Sequence, residues 1–288
     1  MSAALDELTA SLQGSDLEQR LLALSTLGGK LTGAKESLNI ALADPIISII
    51  AKCLGSSHAG LGLATLNTLP ALFTYTHTYQ PALIRNVLSL ILPPLVDRIG
   101  DSRRLPRERA MQVLAELWYT THIVEQKLPG SQMPRPGTPS MTTPSIARTK
   151  TPSRTRLPTG ATTPSNSSAG GVPTMMATFE REIKTRAFQH KASRVREQIM
   201  AWLGHCQKTY SIFPVKRYIG PAVKLLEDSN EAVRDAAKKV LARLASSSTP
   251  GTLNEICAEL KRRGVRNSLV EAVLGKNGMA QMITPARP

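Results

Sequence analysis

The stretch VRDAAKKVL, residues 233–241, recurs along the chain with an arginine at its second position and a leucine at its last. Three further segments share both residues and align without gaps: QRLLALSTL (19–27), PRERAMQVL (106–114) and VREQIMAWL (195–203). Two weaker copies have changed one of them: LGLATLNTL (61–69) with Gly62 in place of Arg, and VRNSLVEAV (265–273) with Val273 in place of Leu. The chain therefore contains six copies of one unit.

The spacing of these copies indicates the fold. Their second positions are separated by 42, 45, 89, 38 and 32 residues. The longest interval contains an acid-free, Pro/Ser/Thr/Gly-rich stretch of 48 residues, 129–176, and measures 41 without it. Two-helix HEAT-type repeats have a period of about 40–47 residues. The sequence therefore predicts an all-α HEAT-repeat solenoid of about six helical hairpins, with a disordered insertion.

Apolar residues at helical spacing, N-cap residues and glycines place the helices. The predicted pairs are 3–13/16–31, 45–54/59–74, 82–99/106–120, 175–188/193–208, 214–227/231–246 and 251–262/266–274. We expect repeats 1–3 over 1–128, the insertion over 129–176, repeats 4–6 over 177–275 and a flexible tail over 276–288. Residues 1–275 form one domain in this prediction.

The short turns within stacked hairpins line up along one edge, and we call this edge the ridge. Its turns 1 to 5 read QGSD (13–16), GSSHA (55–59), GDSRRL (100–105), QHKAS (189–193) and EDSNE (227–231). They are polar and rich in small residues, which favours a binding surface over a catalytic pocket. The insertion joins the third and fourth hairpins and is expected to leave from the opposite edge.

The amino-acid composition limits the classes of partner that the protein is expected to bind. The 288 residues include 36 Lys and Arg against 21 Asp and Glu, a net charge of +15, which predicts attraction to nucleic acid, anionic lipid or an acidic protein. Only 4% of the residues are aromatic, so base-stacking residues are sparse, and specific nucleic-acid binding ranks last.

Cysteine spacing, the N-terminal segment, the apolar runs and the motif content of the sequence indicate neither a metal site, nor membrane insertion, nor catalysis. Cys53, Cys206 and Cys257 match no metal-binding spacing, so we expect thiols in a reducing compartment and no metal or cofactor. The N-terminus MSAALDEL does not resemble a signal peptide, and the longest apolar run, LSLILPPLV (88–96), is too short to span a bilayer. Common catalytic motifs are absent from the sequence. We expect a soluble intracellular protein that is not an enzyme and does not contact membranes.

Two sets of recurring residues are predicted to be structural. We expect Trp118 and Trp202 in the core. The repeated arginines at helix starts are expected to bridge neighbouring repeats or nearby carboxylates such as Glu197 and Asp235; these arginines are Arg20, Arg107, Arg196 and Arg234.

Three segments carry a family resemblance: LVDRIGDSRRLPRERAMQVL (95–114), FQHKASRVREQIMAWL (188–203) and LEDSNEAVRDAAKKVLARL (226–244). They resemble the Leu-x-Asp-x-Leu-Gly-Asp, Phe-x-His-Lys-Asn and Gly-Asp-x-x-x-x-Val-Arg-Asp turns of TOG domains of the CLASP family of microtubule regulators, in particular its fungal members. The ending LNEICAELKRRGVRNSLVEAVL (253–274) is also similar, so the resemblance covers most of 1–275 outside the insertion. Ala192 stands where that pattern has Asn, and QGSD lacks the Trp that often occupies the first turn.

The resemblance implies that the ridge binds αβ-tubulin and that the protein stabilises microtubules by suppressing depolymerisation, in spindle and cytoskeleton organisation. By position, the implied contact residues are Ser15, Asp16, Ser56, His58, Ser102, Arg103, Arg104, His190, Lys191, Arg194, Asn230 and Arg234. The implied location is the cytoplasm and cytoskeleton, and the nucleus during mitosis. The alternative is a helical scaffold for another acidic protein, such as a kinetochore or transport factor, without tubulin contact. Oligomeric state and the choice between free tubulin and lattice stay open.

The insertion adds two candidate functions. Four Thr-Pro-Ser copies, the minimal sites of proline-directed kinases, begin at Thr138, Thr143, Thr151 and Thr163. The insertion carries a charge of +5, and four phosphates would add roughly −6 to −8, which would release acidic partners. The segment SRTRLP (153–158) resembles the Ser/Thr-x-Ile/Leu-Pro motif recognised by end-binding proteins, with Thr155, Leu157 and Pro158 as the matching residues. The alternative is an unmodified spacer.

Overall fold

The computed structural model describes residues 2–34, 40–127, 173–247 and 249–283. Within these ranges the chain folds into helices joined by turns, without strands. None of the helices in these ranges combines the length with the apolar character that crossing a membrane requires.

The helices form six hairpins in chain order. The first three contain α1 (Ser2–Gln13) and α2 (Leu17–Thr32), α3 (Ile40–Gly55) and α4 (Ala59–Tyr79), and α5 (Ile84–Leu90) and α6 (Leu92–Arg98) with α7 (Arg104–Lys127). The last three contain α8 (Met175–Glu182) with α9 (Ser193–Thr209), α10 (Lys216–Lys224) with α11 (Glu231–Ser247), and α12 (Pro250–Arg262) with α13 (Asn267–Ile283). Within α13 the backbone leaves helical geometry at Gly275, where φ is 68° and ψ is 174°.

The hairpins stack in two layers. Among the first helices, α3 packs against α1, α5 and α6, and α5 packs against α8. Among the second helices, α4 lies between α2 and α7, α9 packs against α7 and α11, and α11 packs against α13. One continuous apolar core runs from Leu12 to Val273. The predicted solenoid of six hairpins is confirmed.

Three first helices were predicted as unbroken, and the structure corrects this. The helix predicted over 82–99 divides at Ile91 into α5 and α6, because Pro93 and Pro94 have no N–H to continue the helical hydrogen bonds. In the fourth hairpin, α8 continues as a π-helical turn, in which the Phe188 N–H donates to the carbonyl of Ile183 at 3.2 Å. In the fifth, α10 ends in a 3₁₀ turn over Leu225–Glu227.

An aromatic cluster fills the joint between the third, fourth and fifth hairpins. Eight of the chain's eleven aromatic residues connect there through ring contacts: Trp118, Tyr119, Phe179, Phe188, Trp202, Tyr210, Phe213 and Tyr218. Phe213 is central, with its ring centroid 4.8 Å from that of Trp118 and 5.6 Å from that of Trp202. Both tryptophans are fully buried, which confirms their predicted place in the core. Such rings bury large apolar areas and hold the two halves of the solenoid together.

The two sides of the predicted insertion meet far from the ridge. Helix α7 starts at turn 3 and runs for 24 residues, about 36 Å, before it ends at Lys127. There, Glu125 Oε2 accepts the N–H of Met176 at 3.1 Å, which joins α7 to α8. Met175 and Met176 are buried in α8. The rest of the insertion up to residue 172, with its candidate phosphorylation and end-binding residues, lies outside the described residues.

Candidate binding ridge

The ridge turns share a hydrogen bond that fixes their backbone. In turns 2 to 5, one side chain accepts the N–H two residues further on, as in Asx- and ST-turns. The pairs are Ser56 Oγ with His58 N (3.2 Å), Asp101 Oδ1 with Arg103 N (3.0 Å), His190 Nδ1 with Ala192 N (3.0 Å) and Asp228 Oδ1 with Asn230 N (2.9 Å). In turn 1, Asp16 Oδ1 accepts the N–H of Glu18 at 3.0 Å and caps α2. Each turn is thus locked by its own side chain.

The recurring arginines hold the same turns from the helix side. In turns 3, 4 and 5, one guanidinium nitrogen donates to the carbonyls six and five residues earlier. Arg107 reaches Asp101 and Ser102 (2.9 and 3.2 Å), Arg196 reaches His190 and Lys191 (2.5 and 3.1 Å), and Arg234 reaches Asp228 and Ser229 (2.8 and 3.0 Å). The structural role predicted for these three arginines is confirmed. The examples Glu197 and Asp235 were wrong as acceptors: these arginines donate to turn carbonyls and, for Arg196, also to Asp228 of the next hairpin, while Asp235 accepts from Lys238.

Turn 2 has no arginine of its own, because Gly62 occupies that position. The next hairpin supplies it: Arg98 Nε donates to the carbonyl of Leu54 at 2.6 Å, and Arg98 Nη2 donates to the carbonyl of Ser56. A Cβ at position 62 would lie 3.0 Å from Arg98 Nη2, so the glycine leaves room for the guanidinium. Arg98 Nη1 also donates to Asp101 at 3.0 Å, which ties turn 2 to turn 3.

Arg20, the equivalent residue of the first hairpin, behaves differently. Its Nη2 donates to the thiol of Cys53 at 3.3 Å, so it links hairpin 1 to hairpin 2 as predicted. Cys53 and Cys206 are buried free thiols, and burial raises the pKa of Cys206 well above its ordinary range. Over the residues that the structure describes, no three His, Cys, Asp or Glu side chains gather in a way that could hold a metal ion.

Polar contacts continue along the ridge through turns 4 and 5. His190 Nε2 lies 3.2 Å from Asp97 Oδ1, so it donates to the third hairpin while Nδ1 accepts within its own turn. Arg196 donates two hydrogen bonds, of 2.7 and 2.8 Å, to the carboxylate of Asp228. Turns 2 to 5 therefore form one connected edge, as the stacking predicts.

These contacts lower the pKa values of two aspartate side chains. The hydrogen bonds from Arg196 lower the pKa of Asp228 below its ordinary value, with help from the Asn230 N–H. Burial on its own would raise the pKa of Asp101, but hydrogen bonds from Arg103 and Arg98 outweigh burial and lower it. Both groups therefore remain negatively charged at neutral pH, and each compensates an arginine of the ridge.

The predicted contact residues divide into two groups. Several have atoms that are committed to the turns: Asp16, Ser56, His190 and Arg234 as above, His58 through Nδ1 to the N–H of Leu61 (3.3 Å), and Asn230 through Oδ1 to the N–H of Val233 (3.3 Å). The side chains of Ser15, Ser102, Arg103, Arg104, Lys191 and Arg194 are exposed. The exposed group lies mainly in turns 3 and 4.

The exposed cations differ in how they are compensated. Arg103 Nε lies 3.3 Å from Asp101, and Arg104 Nε lies 2.7 Å from Glu108. Lys191 and Arg194 pair with no acidic group among the described residues. Turn 4 therefore presents the least compensated positive charge of the predicted set.

Two open grooves lie between neighbouring turns. The groove between turns 2 and 3, of about 380 Å³, has two arginines and two aspartates in its lining: Asp97, Arg98, Asp101 and Arg103. The groove between turns 4 and 5, of about 500 Å³, has four Lys or Arg and two acids: Lys191, Arg196, Lys224, Glu227, Asp228 and Arg263. The first groove is electrically balanced, whereas the second is positive. The sequence prediction missed Lys224 and Arg263, which lie outside turns 1 to 5.

No protein-family model matches the chain. Among curated proteins, Protein STU1 of Mycosarcoma maydis is 23% identical over 280 residues, which are 94% of this chain and 19% of that protein. Protein STU1 of Cryptococcus neoformans var. neoformans is 23% identical over 270 residues, 92% of this chain and 20% of that protein. The chain thus spans about a fifth of the length of these relatives.

Solved structures agree on the fold. The MAST/Orbit N-terminal domain has a TM-score of 0.62 at 17% identity and covers 95% of both chains. A TOG domain of crescerin has a TM-score of 0.59 at 19% identity, over 97% of this chain and 90% of its own. Drosophila melanogaster Mini spindles TOG3 has a TM-score of 0.53 at 14% identity, over 89% and 93%. The expected resemblance is confirmed: the chain has the fold of a TOG domain and is similar in sequence to fungal STU1 proteins of the CLASP family.

Proposed function

We propose that this chain is a tubulin-binding module that uses the ridge to hold an acidic surface of tubulin or of the microtubule lattice. The observation that carries this proposal is the row of exposed cations in turns 3 and 4. Lys191 and Arg194 have no acidic partner in the described ranges, and Arg103 and Arg104 extend the row. Such a surface attracts an acidic partner and orients it.

The locked turns support the same proposal. Because turns 2 to 5 are each fixed by a side-chain acceptor and by an arginine, the ridge needs little ordering when a partner binds, and less conformational entropy is lost. A rigid row of turns fits a folded protein surface better than a flexible ligand. We propose binding without chemistry, and without a metal or a cofactor.

The similar proteins are the basis for proposing a cellular process and a location for this chain. The crescerin structure is described as using a TOG domain array to regulate microtubules, and another matched structure concerns TOG–tubulin binding in mitotic spindle formation. We propose that this chain contributes to microtubule stabilisation in the cytoskeleton and spindle, in the cytoplasm and in the nucleus during mitosis. The scaffold for another acidic protein is the competing function.

Co-elution with tubulin tests the proposal. The ridge variant combines Arg103→Glu, Arg104→Glu and Lys191→Glu. Its matched control combines Lys30→Glu, Lys208→Glu and Lys239→Glu, three exposed lysines away from the ridge with the same change of charge. We expect the wild type and the control to co-elute with tubulin at low salt, and the ridge variant to elute alone with an unchanged melting temperature. Co-elution of the ridge variant would show that tubulin contacts another surface, and a wild type that elutes alone would favour the scaffold function.

The insertion keeps its proposed roles as a regulator. We propose that phosphorylation at Thr138, Thr143, Thr151 and Thr163 releases an acidic partner, and that Thr155, Leu157 and Pro158 contact end-binding proteins. Replacing the four threonines by Glu is expected to weaken tubulin binding through charge repulsion.

Replacing Leu157 and Pro158 by Ser is expected to abolish recovery of an end-binding protein and to leave tubulin binding intact. Unchanged binding in both variants would favour a simple spacer.

A further inference from the structure

We propose that the groove between turns 4 and 5 is a second docking site, which shares Lys191 with the proposed tubulin contact and takes an acidic peptide segment of a protein partner. Its carboxylates would meet three cations, Lys191, Lys224 and Arg263. This inference goes beyond the proposed contact of the ridge with tubulin, because Lys224 and Arg263 belong to neither turn 3 nor turn 4.

The three cations come from three different hairpins. Lys191 lies in turn 4, Lys224 ends α10 of the fifth hairpin, and Arg263 follows α12 in the sixth. All three line the same groove, with the side chains of Lys191 and Lys224 exposed and that of Arg263 partly exposed. Because the hairpins are packed against one another, the spacing of these charges is set by the fold before any ligand arrives.

The acids in the groove do not neutralise these cations. Asp228 is occupied by the two hydrogen bonds from Arg196, so this pair contributes no net charge. Glu227 is exposed and remains as the one free acid in the lining. Arg263 uses its Nε to contact Glu259 at 2.5 Å, and its terminal nitrogens donate to no acceptor within the described ranges. The groove therefore keeps an uncompensated positive charge.

The shape favours a peptide over a single small anion. The groove has a volume of about 500 Å³ and is open to solvent, and its cations are distributed over three hairpins. An extended segment with acidic residues at intervals can reach several of them at once. Phe188 and Leu225 contribute an apolar floor, which lowers the local dielectric constant and strengthens attraction between the opposite charges.

The balanced groove between turns 2 and 3 is an internal comparison. Its two arginines face two aspartates, and Arg98 has its donors directed to Leu54, Ser56 and Asp101. An acidic peptide would therefore gain little there. The inference predicts binding at one of the two grooves of the ridge and not at the other.

Fluorescence anisotropy with a short labelled peptide of alternating Glu and Ser tests the inference in the absence of tubulin. Its counterpart with Gln in place of Glu is the neutral probe. We expect the acidic peptide to bind wild-type protein at low salt and the neutral peptide not to bind. Lys224→Glu combined with Arg263→Glu is expected to weaken binding about tenfold, because two exposed ion pairs are lost.

Two control variants make the result specific. Lys208→Glu with Lys239→Glu has the same change of charge on another face, and Arg103→Glu with Arg104→Glu changes the ridge outside this groove. We expect both to retain peptide binding. Equal weakening in these controls, or full binding by the groove variant, would overturn the inference.

Lys224→Glu alone controls for misfolding, because the side chain of Lys224 makes no hydrogen bond or ion pair among the described residues. It is expected to weaken peptide binding about threefold with an unchanged melting temperature. Because the assay contains no tubulin, a failure here is distinct from a failure of the proposed tubulin contact.

Discussion

The two grooves of the ridge are built alike but differ in charge. In both, an arginine holds turn carbonyls and reaches an aspartate: Arg98 contacts Asp101 in one, and Arg196 contacts Asp228 in the other. Around this shared frame, the first groove has as many acids as cations, whereas the second has additional lysines and an arginine.

Under the proposed function, this difference means that scaffold and recognition use separate residues. The arginines that hold the turns donate their hydrogen bonds to carbonyls and carboxylates. They therefore contribute rigidity rather than uncompensated positive charge. The exposed cations around them make few contacts and can change from hairpin to hairpin without loss of fold. The turn-holding arginine itself can also change its origin, since in turn 2 it comes from the next hairpin and Gly62 takes the usual position.

The largest predicted effect concerns the arginine that crosses between hairpins. Arg98→Ala removes the guanidinium donors to the carbonyls of Leu54 and Ser56, and one of the two arginines that pair with the largely buried Asp101. We expect the free energy of unfolding to fall by about 3 kcal/mol. Arg107→Ala, which removes bonds within a single turn, is expected to cost about 1 kcal/mol. Urea denaturation measures both, and equal losses would contradict a special role for the crossing arginine.

The Arg196–Asp228 pair should make stability depend on pH. Because the pKa of Asp228 is lowered in the folded protein, its stabilising contribution is complete above the ordinary pKa near 3.8 and is lost as the pH falls through the folded value. Asp228→Asn is therefore expected to cost about 2 kcal/mol at neutral pH. This deficit should disappear in strongly acidic buffer. A deficit that is the same at both pH values would contradict the assigned charge.

Turns 3 and 4 should contribute unequally to binding. Lys191→Glu with Arg194→Glu removes cations without an acidic partner in the described ranges, whereas Arg103→Glu with Arg104→Glu removes cations that already face Asp101 and Glu108. We expect the turn 4 variant to weaken tubulin binding about tenfold and the turn 3 variant about threefold. Titration of labelled tubulin measures both, and the reverse order would show that internal pairing does not govern the ridge.

The smallest effect is expected at the start of α9. Ala192 is the N-cap of this helix and offers no side-chain acceptor, whereas Asp16, His58 and Asn230 cap their helices. Ala192→Asn is therefore expected to add about 0.5–1 kcal/mol of stability. Thermal unfolding should show a rise of about 1–2 °C. Ala192→Leu, which also lacks a side-chain acceptor, serves as the control, and a lower melting temperature for the Asn variant would contradict the assigned cap.

Much of the fold could be predicted because the repeat can be recognised by aligning segments of the sequence with one another. The arginine and leucine recur together at the same helical positions in four of the six copies, so the hairpins and turns follow from one alignment. The sequence did not show the break at Ile91 or the π-helical turn after Glu182, since apolar spacing is the same on both sides of an interruption. The prolines at 93 and 94 were a signal that could have located the first of these.

The site was harder to predict because its contacts are not local. Arg196 and Arg234 were expected near carboxylates adjacent in sequence, but folded turns offer carbonyls five and six residues away. Lys224 and Arg263 reach the groove only because three hairpins stack. Such proximity depends on packing and not on spacing.

Photo-crosslinking tests the central claim most directly, because it reports contact rather than affinity. A photoreactive residue would replace Ser102, which is exposed in turn 3, and in a second variant Lys208, which is exposed in the last turn of α9. With purified tubulin, we predict crosslinks from Ser102→p-benzoylphenylalanine and none from Lys208→p-benzoylphenylalanine. Crosslinks from position 208 without any from position 102 would contradict tubulin binding by the ridge.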